Sequence, residues 1–251
     1  MDNKERFTNR VDAYVKYRPS YPREAVDYLY ASVGLRAESR IADIGAGTGI
    51  FSQLLLERGS RVVAVEPNPA MREAAIQRLG SAPNYEAVSG SAEATGLPNQ
   101  SVDFIVCAQA FHWFDLPAAQ AEFRRILQPG GCVALIWNSR LSSGTPFRDT
   151  YEQLLRRYAT DYNQVNHKNI SPMTLRSFFK DGTLREARFG LAQSFDFHGL
   201  QGRLSSSSYC PEPEHPNYVP MMTELRQLFD AHHQEGQVIV DYETEIYWGE
   251  L

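Results

Sequence analysis

Short β-branched runs alternate with helical patterns of apolar residues between about residue 40 and residue 137. Because parallel neighbouring strands need a crossover connection, this alternation predicts βαβ units and a parallel sheet. The near-continuous apolar character of the last two runs indicates a sheet covered on both faces. The predicted strands are 41–44, 61–66, 85–88, 102–108 and 132–137, and the predicted helices are 50–58, one that begins at Asn68-Pro69, and 117–127.

Two flanking segments complete the chain. The first, 1–35, has a helical pattern and a helix predicted at 22–33, and the second, 145–235, is mostly helical. Further predicted elements are helix starts at Thr145-Pro146 and Ser171-Pro172, a helix at 221–232, and strands at 184–189, 194–197 and 238–248. We therefore expect one domain, 1–251, with an N-terminal helical lid (1–35), a core (36–140), and a helical cap with the last strands (141–251).

Composition and charge exclude several classes of protein. Of 251 residues, 43% are hydrophobic, and 25 basic against 30 acidic residues give a net charge of −5. This mildly acidic balance argues against nucleic acid as a partner, since phosphate binding usually leaves a basic stripe. No apolar run approaches the ~20 residues of a membrane span, so we expect no membrane partner. The start shows no secretory signal, and three cysteines without a CxxC pair favour a reducing cytoplasm.

The most informative stretch is the glycine-rich turn after the first predicted strand, IADIGAGTGI at 41–50. Open α/β sheets bind ligands at this edge, and glycine lets a ligand approach the backbone closely. A dinucleotide fingerprint, GxGxxG, would follow Gly45 and Gly47 with a third glycine at the position of Ile50. The pattern fails there, and Asp43 before the first glycine is additional to it.

An acidic residue accompanies this turn. Glu66 ends the second predicted strand about 20 residues beyond Gly47, where a carboxylate can accept hydrogen bonds from both ribose hydroxyls of an adenosine. The alternative is a solvent-exposed strand end. Together the turn and the glutamate indicate an adenosine-bearing ligand without a firm pyrophosphate requirement.

Four blocks of sequence carry a family resemblance. ADIGAGTG, VEPNPAM, GSAEATGLPNQSVDFIVCAQAFHWF and RILQPGGCVALIW follow one another over about residues 40–137. In order and spacing they resemble the class I S-adenosylmethionine-dependent methyltransferases, and more narrowly the small-molecule branch with ubiquinone-biosynthesis and trans-aconitate methyltransferases. The opening YVKYRPSYP is similar to many bacterial members. The resemblance implies an α/β, Rossmann-like, seven-stranded, mostly parallel sheet with helices on both faces and a helical cap.

The resemblance implies S-adenosylmethionine as cofactor, held in the 36–140 core. The glycine turn would lie under its methionine part and ribose, Glu66 would bind the ribose, and Arg18 would pair with its carboxylate. A serine at position 91, where the family often has aspartate, is a departure at the adenine contact. The implied cofactor contacts are Arg18, Asp43, Gly45, Ala46, Gly47, Thr48, Gly49, Glu66, Pro67, Met71, Ser91, Ala92, Glu93, Ala108 and Gln109.

The acceptor side is predicted from residues that leave the fourth and fifth strands or close the lid. His112 is the candidate catalytic base, and the alternative is a histidine of the cavity wall that never exchanges a proton with substrate. For Arg18, the alternative interpretation is a surface charge at a helix end. For Asn138, the alternative is an ordinary turn residue. The predicted substrate-binding residues are Tyr14, Tyr17, Trp113, Trp137 and Asn138.

The implied function is in-line transfer of a methyl group to a small-molecule acceptor in the cytoplasm. Two alternatives stay open, an NAD(P)-dependent oxidoreductase on a similar sheet and a non-catalytic protein that binds the same cofactor. No histidine or cysteine spacing suits a metal, so we assign none. Ser205–Ser208 is predicted as a flexible loop over the site, with a solvated turn as the alternative.

Overall fold

The computed structural model describes residues 8–163 and 169–251, so the first seven residues of the predicted lid lie outside the described residues. The strands are β1 (Arg40–Ile44), β2 (Arg61–Val65), β3 (Tyr85–Val88), β4 (Val102–Ala108), β5 (Leu127–Arg140), β6 (Arg185–Phe195) and β7 (Val238–Gly249). The α-helices are α1 (Val11–Tyr17), α2 (Arg23–Tyr28), α3 (Ile50–Leu56), α4 (Pro69–Leu79), α5 (Leu116–Ile126), α6 (Pro146–Tyr158), α7 (Pro172–Phe178), α8 (Phe197–Ser205) and α9 (Tyr218–His232).

The strands form one sheet of seven in the order β3-β2-β1-β4-β5-β7-β6. Strands β1 to β5 pair in parallel, and β7 runs antiparallel between β5 and β6. This confirms the predicted fold class. The strand order reverses between β1 and β4, and such a switch point opens a crevice at the carboxyl ends of the strands.

Both faces of the sheet are buried because alternate residues of each strand supply opposite cores. On β1, Ile41 packs with Phe51 and Leu55 of α3 in one cluster. Its neighbours Ala42 and Ile44 belong to a second cluster that contains Phe123 of α5 and Phe178 of α7. The central strands are thereby fixed from two sides, and the loops at their carboxyl ends stand on a rigid base.

The cap has an apolar core of its own. Helices α6, α8 and α9 pack together through residues such as Leu154, Leu204 and Leu225, and this cluster includes Val240 and Tyr242 of β7. Tyr242 pairs with Arg140 at the carboxyl end of β5. The cap is therefore attached to the sheet at the edge where the parallel strands end.

Most predicted element ends agree with the structure, and the helix starts have the expected caps. The side chains of Asn68, Thr145 and Ser171 each accept a hydrogen bond from the backbone N–H three residues on. One prediction was wrong. The strands at 184–189 and 194–197 are a single strand, β6, because pairing with β7 continues without a break, and Asp196 caps α8 by accepting from the Gly199 N–H at 2.7 Å.

Three further observations bear on the sequence-based expectations. Cys107, Cys132 and Cys210 form no disulfide. Within 8–163 and 169–251, no helix is long and apolar enough to cross a membrane. Ser206 and Ser207 are buried, and their carbonyls accept hydrogen bonds from Arg18 and Arg10. The Ser205–Ser208 segment is thus neither a solvated turn nor an unattached loop.

Gly49 allows α3 and α4 to approach each other, and its replacement tests that packing. Its φ is +77°, and a Cβ there would lie 2.6 Å from Leu79 Cδ1. We expect Gly49→Ala to lower the free energy of unfolding by about 1–3 kcal/mol, measured by urea denaturation, since strain and overpacking add. In the control Gly190→Ala, the new Cβ meets nothing within 4 Å. Equal stability of the two variants would contradict this account.

Candidate functional site

A cavity of about 670 Å³ lies at the carboxyl ends of the parallel strands, between the sheet and the cap. Its size is typical of sites for small molecules and cofactors. Fifteen of the site residues predicted from sequence line it: Tyr14, Arg18, Gly45, Gly47, Glu66, Pro67, Met71, Ser91, Ala92, Glu93, Ala108, Gln109, His112, Trp113 and Asn138. The structure thus brings together segments far apart in the chain, while their contacts with ligands stay predictions.

Six predicted residues do not line the cavity: Tyr17, Asp43, Ala46, Thr48, Gly49 and Trp137. Thr48 and Asp43 are buried behind the glycine turn, and Gly49 faces Leu79 of α4. Tyr17 lies against Gly202 of α8, and its ring meets the His198 ring edge-on at 6.2 Å. These residues support the wall rather than form it.

Glu66 joins the glycine turn to the start of α4. Its Oε2 accepts from the Gly47 N–H and its Oε1 from the Asn68 N–H, each at 2.8 Å. Burial raises the pKa of Glu66, and the two backbone hydrogen bonds offset part of that rise. Only 8% of the residue is exposed, so the alternative of a solvent-exposed strand end is wrong. Each carboxylate oxygen has a second lone pair to accept a ligand hydroxyl.

Gly47 leaves room beside this carboxylate. It has a φ of +58°, and a Cβ there would meet no protein atom within 4 Å. Gly45 differs, since a Cβ there would lie 2.5 Å from the Cβ of Ala110. The open face of Gly47 and the carboxylate of Glu66 together suit the sugar of an adenosine.

Asp43 acts inside the turn rather than at the cavity surface. Its Oδ2 accepts from the Ser52 hydroxyl at 2.6 Å, and its Oδ1 is buried with no hydrogen-bond partner among the described residues. Burial raises the pKa of Asp43 to about 7; the bond from Ser52 opposes the rise and the nearby Glu66 carboxylate adds to it. Asp43 therefore joins the end of β1 to Ser52 of α3 behind the glycine turn, and its contact with the cofactor stays a prediction.

Two residues at the ends of β4 and β5 are held in unusual ways. Gln109 has a φ of +63°, a strained value for a residue with a side chain, and its N–H donates to the Ile136 carbonyl at 2.8 Å. Asn138 lies in β5, so the alternative of a turn residue is wrong. Its amide donates to the Ser20 carbonyl at 3.0 Å and accepts from the Thr244 hydroxyl at 2.6 Å. The N-terminal segment is thereby attached to the sheet.

Trp137 lies behind the cavity wall. The residue is 2% exposed, packs edge-on against Phe111 and Tyr247 and does not line the cavity, and its predicted contact with substrate stays a prediction. The indole Nε1 donates to His112 Nδ1 at 3.3 Å. In a neutral imidazole whose Nδ1 accepts, the proton resides on Nε2. A base needs an unprotonated nitrogen for the acceptor, so this arrangement favours the wall role of His112.

Arg18 belongs to the wall, not to the surface. Its Nη2 donates to the Ser206 carbonyl at 2.9 Å, and its guanidinium lies 4.9 Å from the centre of the Tyr14 ring. Burial lowers the pKa of Arg18, and the positive charge of Arg203 lowers it further. The alternative of a solvated charge at a helix end does not fit this environment.

The sequence-based prediction missed one wall, which the cap supplies. Arg140 could have been found by its place at the ligand-binding edge, and Asn68, Ala110 and Phe114 by their place in the quoted blocks, whereas the cap residues follow no motif. No group of three or more histidine, cysteine or acidic side chains suited to a metal occurs in the part of the chain described. The additional lining residues are Asn68, Ala110, Phe114, Asp115, Arg140, Ser142, Glu152, Arg156, Tyr162, Arg203, Ser208 and Tyr209.

Known proteins resemble both the sequence and the fold. A family profile described as "Methyltransferase domain" matches residues 42–135. An uncharacterized methyltransferase of Mycobacterium bovis is 44% identical over 134 residues, which cover 53% of this chain and 52% of that relative. The malonyl-[acyl-carrier protein] O-methyltransferase of Serratia marcescens is 36% identical, over 66% of this chain and 69% of that protein. The chain belongs to the class I S-adenosylmethionine-dependent methyltransferases.

The structural comparison supports the fold. A type II methyltransferase structure from Anaeromyxobacter dehalogenans has a TM-score of 0.71 and 24% identity, and covers 93% of this chain and 98% of that one. At this identity the likeness bears on the fold alone. Family membership confirms the sequence-based recognition and argues against the NAD(P)-dependent oxidoreductase. The narrower likeness to ubiquinone-biosynthesis or trans-aconitate enzymes stays a prediction.

The hydrogen bond from Trp137 should determine the tautomer of His112. We expect the imidazole nitrogen chemical shifts of the wild-type protein to report a proton on Nε2, and Trp137→Phe to give a mixture of tautomers. Trp248→Phe is the matched control, because that indole donates to the Tyr28 hydroxyl instead. An Nδ1-protonated His112 in the wild-type protein would overturn the assignment.

Burial of Asp43 should make stability depend on pH. Its folded pKa of about 7 lies above the ordinary 3.8, so in this interval the native state holds a proton that the unfolded state releases. Stability should therefore fall as pH rises through this window, and Asp43→Asn should flatten the fall. Urea denaturation at several pH values between about 4 and 7 measures the free energy of unfolding. Glu186→Gln, on the exposed edge of β6, is the control. An unchanged slope in Asp43→Asn would contradict the prediction.

Proposed function

We propose that this chain transfers a methyl group from S-adenosylmethionine to a small-molecule acceptor. The observation that carries the proposal is the buried Glu66 carboxylate, held beside the open face of Gly47 in the cavity wall. Family membership supports the choice of cofactor, and a cavity of about 670 Å³ lined by lid, sheet and cap supports a small acceptor.

The wall residues fit the parts of this cofactor. Glu66 would accept from the sugar hydroxyls, while Pro67, Met71 and Ala92 offer apolar surface for the adenine. Gly45, Ala108 and Gln109 would lie along the methionine part. Arg18, which has no ion pair with any acid of the described residues, would hold the carboxylate. Each role rests on the position of the residue in one continuous cavity.

The cofactor, when bound, supplies an electrophilic methyl group on a sulfonium centre. The residues of this chain then have to hold two ligands in line and keep water out. Orientation of this kind contributes up to roughly 7–11 kcal/mol to lowering a barrier. The positive φ of Gln109 and the two bonds of Asn138 fix the strand ends on which such alignment depends.

His112 contributes a hydrogen-bond donor to this scheme. With Nδ1 accepting from Trp137, the proton of a neutral His112 lies on Nε2, which favours a positioning role for this residue over that of a base. An acceptor atom that is already ionised at neutral pH needs no base. The proposal therefore assigns His112 to positioning, together with Trp113, whose ring centre lies 4.6 Å from the His112 ring centre.

Lid, core and cap act as one domain in this proposal. Asn138 bonds the segment after α1 to β5, and Arg10 donates to the carbonyls of Ser205, Ser207 and Cys210 at the end of α8 and beyond it. These contacts support a cavity wall formed jointly by the three segments. Removal of the lid should therefore cost binding as well as stability.

The cofactor site is tested by two substitutions. Gly47→Arg fills the open space beside Glu66 and should abolish calorimetric binding of S-adenosylhomocysteine. Glu66→Ala removes the ribose acceptor and should weaken binding by about tenfold to a hundredfold, as expected for hydrogen bonds to a charged group. Glu186→Ala, on the exposed edge of β6, is the control. Near-normal affinity in both site variants would refute the assignment.

A further inference from the structure

The cap side of the cavity contains more positive charge than its acids neutralise. Arg140 pairs with Glu152 at 2.5 Å, and Arg156 pairs with the same carboxylate at 2.9 Å. Arg18 and Arg203 form no ion pair with any acid in 8–163 or 169–251, although both line the same cavity. Buried charges without a partner are costly, so such a pair indicates a ligand that brings the opposite charge.

We propose that Arg203, together with Tyr209, binds a carboxylate of the methyl acceptor, while Arg18 beside it stays with the cofactor. The inference rests on the proposed function and adds to it the chemical class of the acceptor, an organic acid. The carboxylate is the group that anchors the acceptor, and it need not be the group that is methylated.

Arg203 is fixed in place by neutral groups. Its Nε donates to the Tyr242 hydroxyl at 2.9 Å and its Nη1 to the Ser207 hydroxyl at 3.0 Å. The residue is 7% exposed. Its Nη2 makes no hydrogen bond to the described residues. A guanidinium held this way keeps its charge and one free edge, and a planar fork of this kind suits a carboxylate.

Arg18 adds a second charge close to the first. Its Nε and Nη2 both donate to the Ser206 carbonyl, so this guanidinium also has only neutral partners. The charge of Arg203 lowers the pKa of Arg18, as expected for two cations close together in a buried setting. An anion between them would relieve this repulsion.

Tyr209 supplies a neutral donor at the same place. It lines the cavity, and its hydroxyl forms no hydrogen bond with the described residues. Its ring stacks edge-on with Tyr162 at 4.9 Å, and Tyr162 donates to Glu152. Arg140, which is paired with Glu152, and the unpaired Arg18 and Arg203 therefore lie on one continuous wall. The hydroxyl of Tyr209 can donate a hydrogen bond to the carboxylate that Arg203 would bind.

The carboxylate has two conceivable sources, the acceptor and the amino-acid end of the cofactor. One cofactor molecule brings one carboxylate. The proposed function assigns Arg18, on the lid segment, to that carboxylate. Arg203 is on α8 of the cap, where its free edge remains for a second anion. Saturation with S-adenosylhomocysteine separates the sources, because it occupies the cofactor's own carboxylate site.

The experiment is calorimetric titration of the S-adenosylhomocysteine-saturated protein with succinate, glutarate and benzoate, and with their amides. We expect at least one acid to bind and its amide to bind at least about tenfold more weakly. Two results would overturn the acceptor site while the proposed function stands. In one, the acids bind only the protein that lacks S-adenosylhomocysteine; in the other, no acid binds the complex of the protein with S-adenosylhomocysteine. If S-adenosylhomocysteine itself does not bind, the proposed function fails.

Variants of Arg203 identify the group responsible. Arg203→Met should weaken acid binding by about tenfold to a hundredfold and leave S-adenosylhomocysteine binding unchanged, and Arg203→Lys should give an intermediate loss. Removal of an uncompensated buried charge should not lower the melting temperature of the ligand-free protein, which separates a binding role from a structural one. Arg188→Met, on exposed β6, is the control. Unchanged acid affinity in Arg203→Met overturns the proposal.

Discussion

The buried carboxylate of Glu66 is the interaction on which the site depends. It accepts one backbone hydrogen bond from the glycine turn and one from the start of α4, so it fixes the ends of β1 and β2 relative to each other. Burial raises its pKa, and the hydrogen bonds from the two backbone N–H groups offset part of that rise. The same side chain also lines the cavity. Its structural role and its proposed binding role therefore coincide in one residue.

The cavity wall has two chemically different halves. The sheet side carries carboxylates and apolar surface, with Glu66, Pro67 and Met71 beside the glycine turn. The cap side carries guanidinium groups and tyrosines, and a single carboxylate, that of Glu152, pairs with both Arg140 and Arg156. Because charges interact strongly where water is scarce, such a division would orient the proposed cofactor and acceptor by charge as well as by shape. In the proposed function, the cap side would hold the acceptor and set specificity.

The regular elements were largely predictable because they follow local rules. Short β-branched runs placed the five parallel strands, helical patterns placed the helices between them, and the Asn68-Pro69 pair marked the start of α4. The prediction failed where a distant partner decided the outcome. Pairing with β7 carries β6 through Gly190, so a residue that weakens a strand locally lies inside one here.

The sequence by itself determined the sheet, the glycine turn and the pairing of that turn with Glu66, since motif and spacing lie within one βαβ unit. Only the tertiary structure decided which side chains face the cavity. Trp137 lies behind His112, and Tyr17 packs against α8, because both are placed by contacts with elements far along the chain. The charge of the acceptor wall likewise arises from Arg18, Arg140 and Arg203. No local pattern links these three residues, which are brought together only when lid, sheet and cap pack.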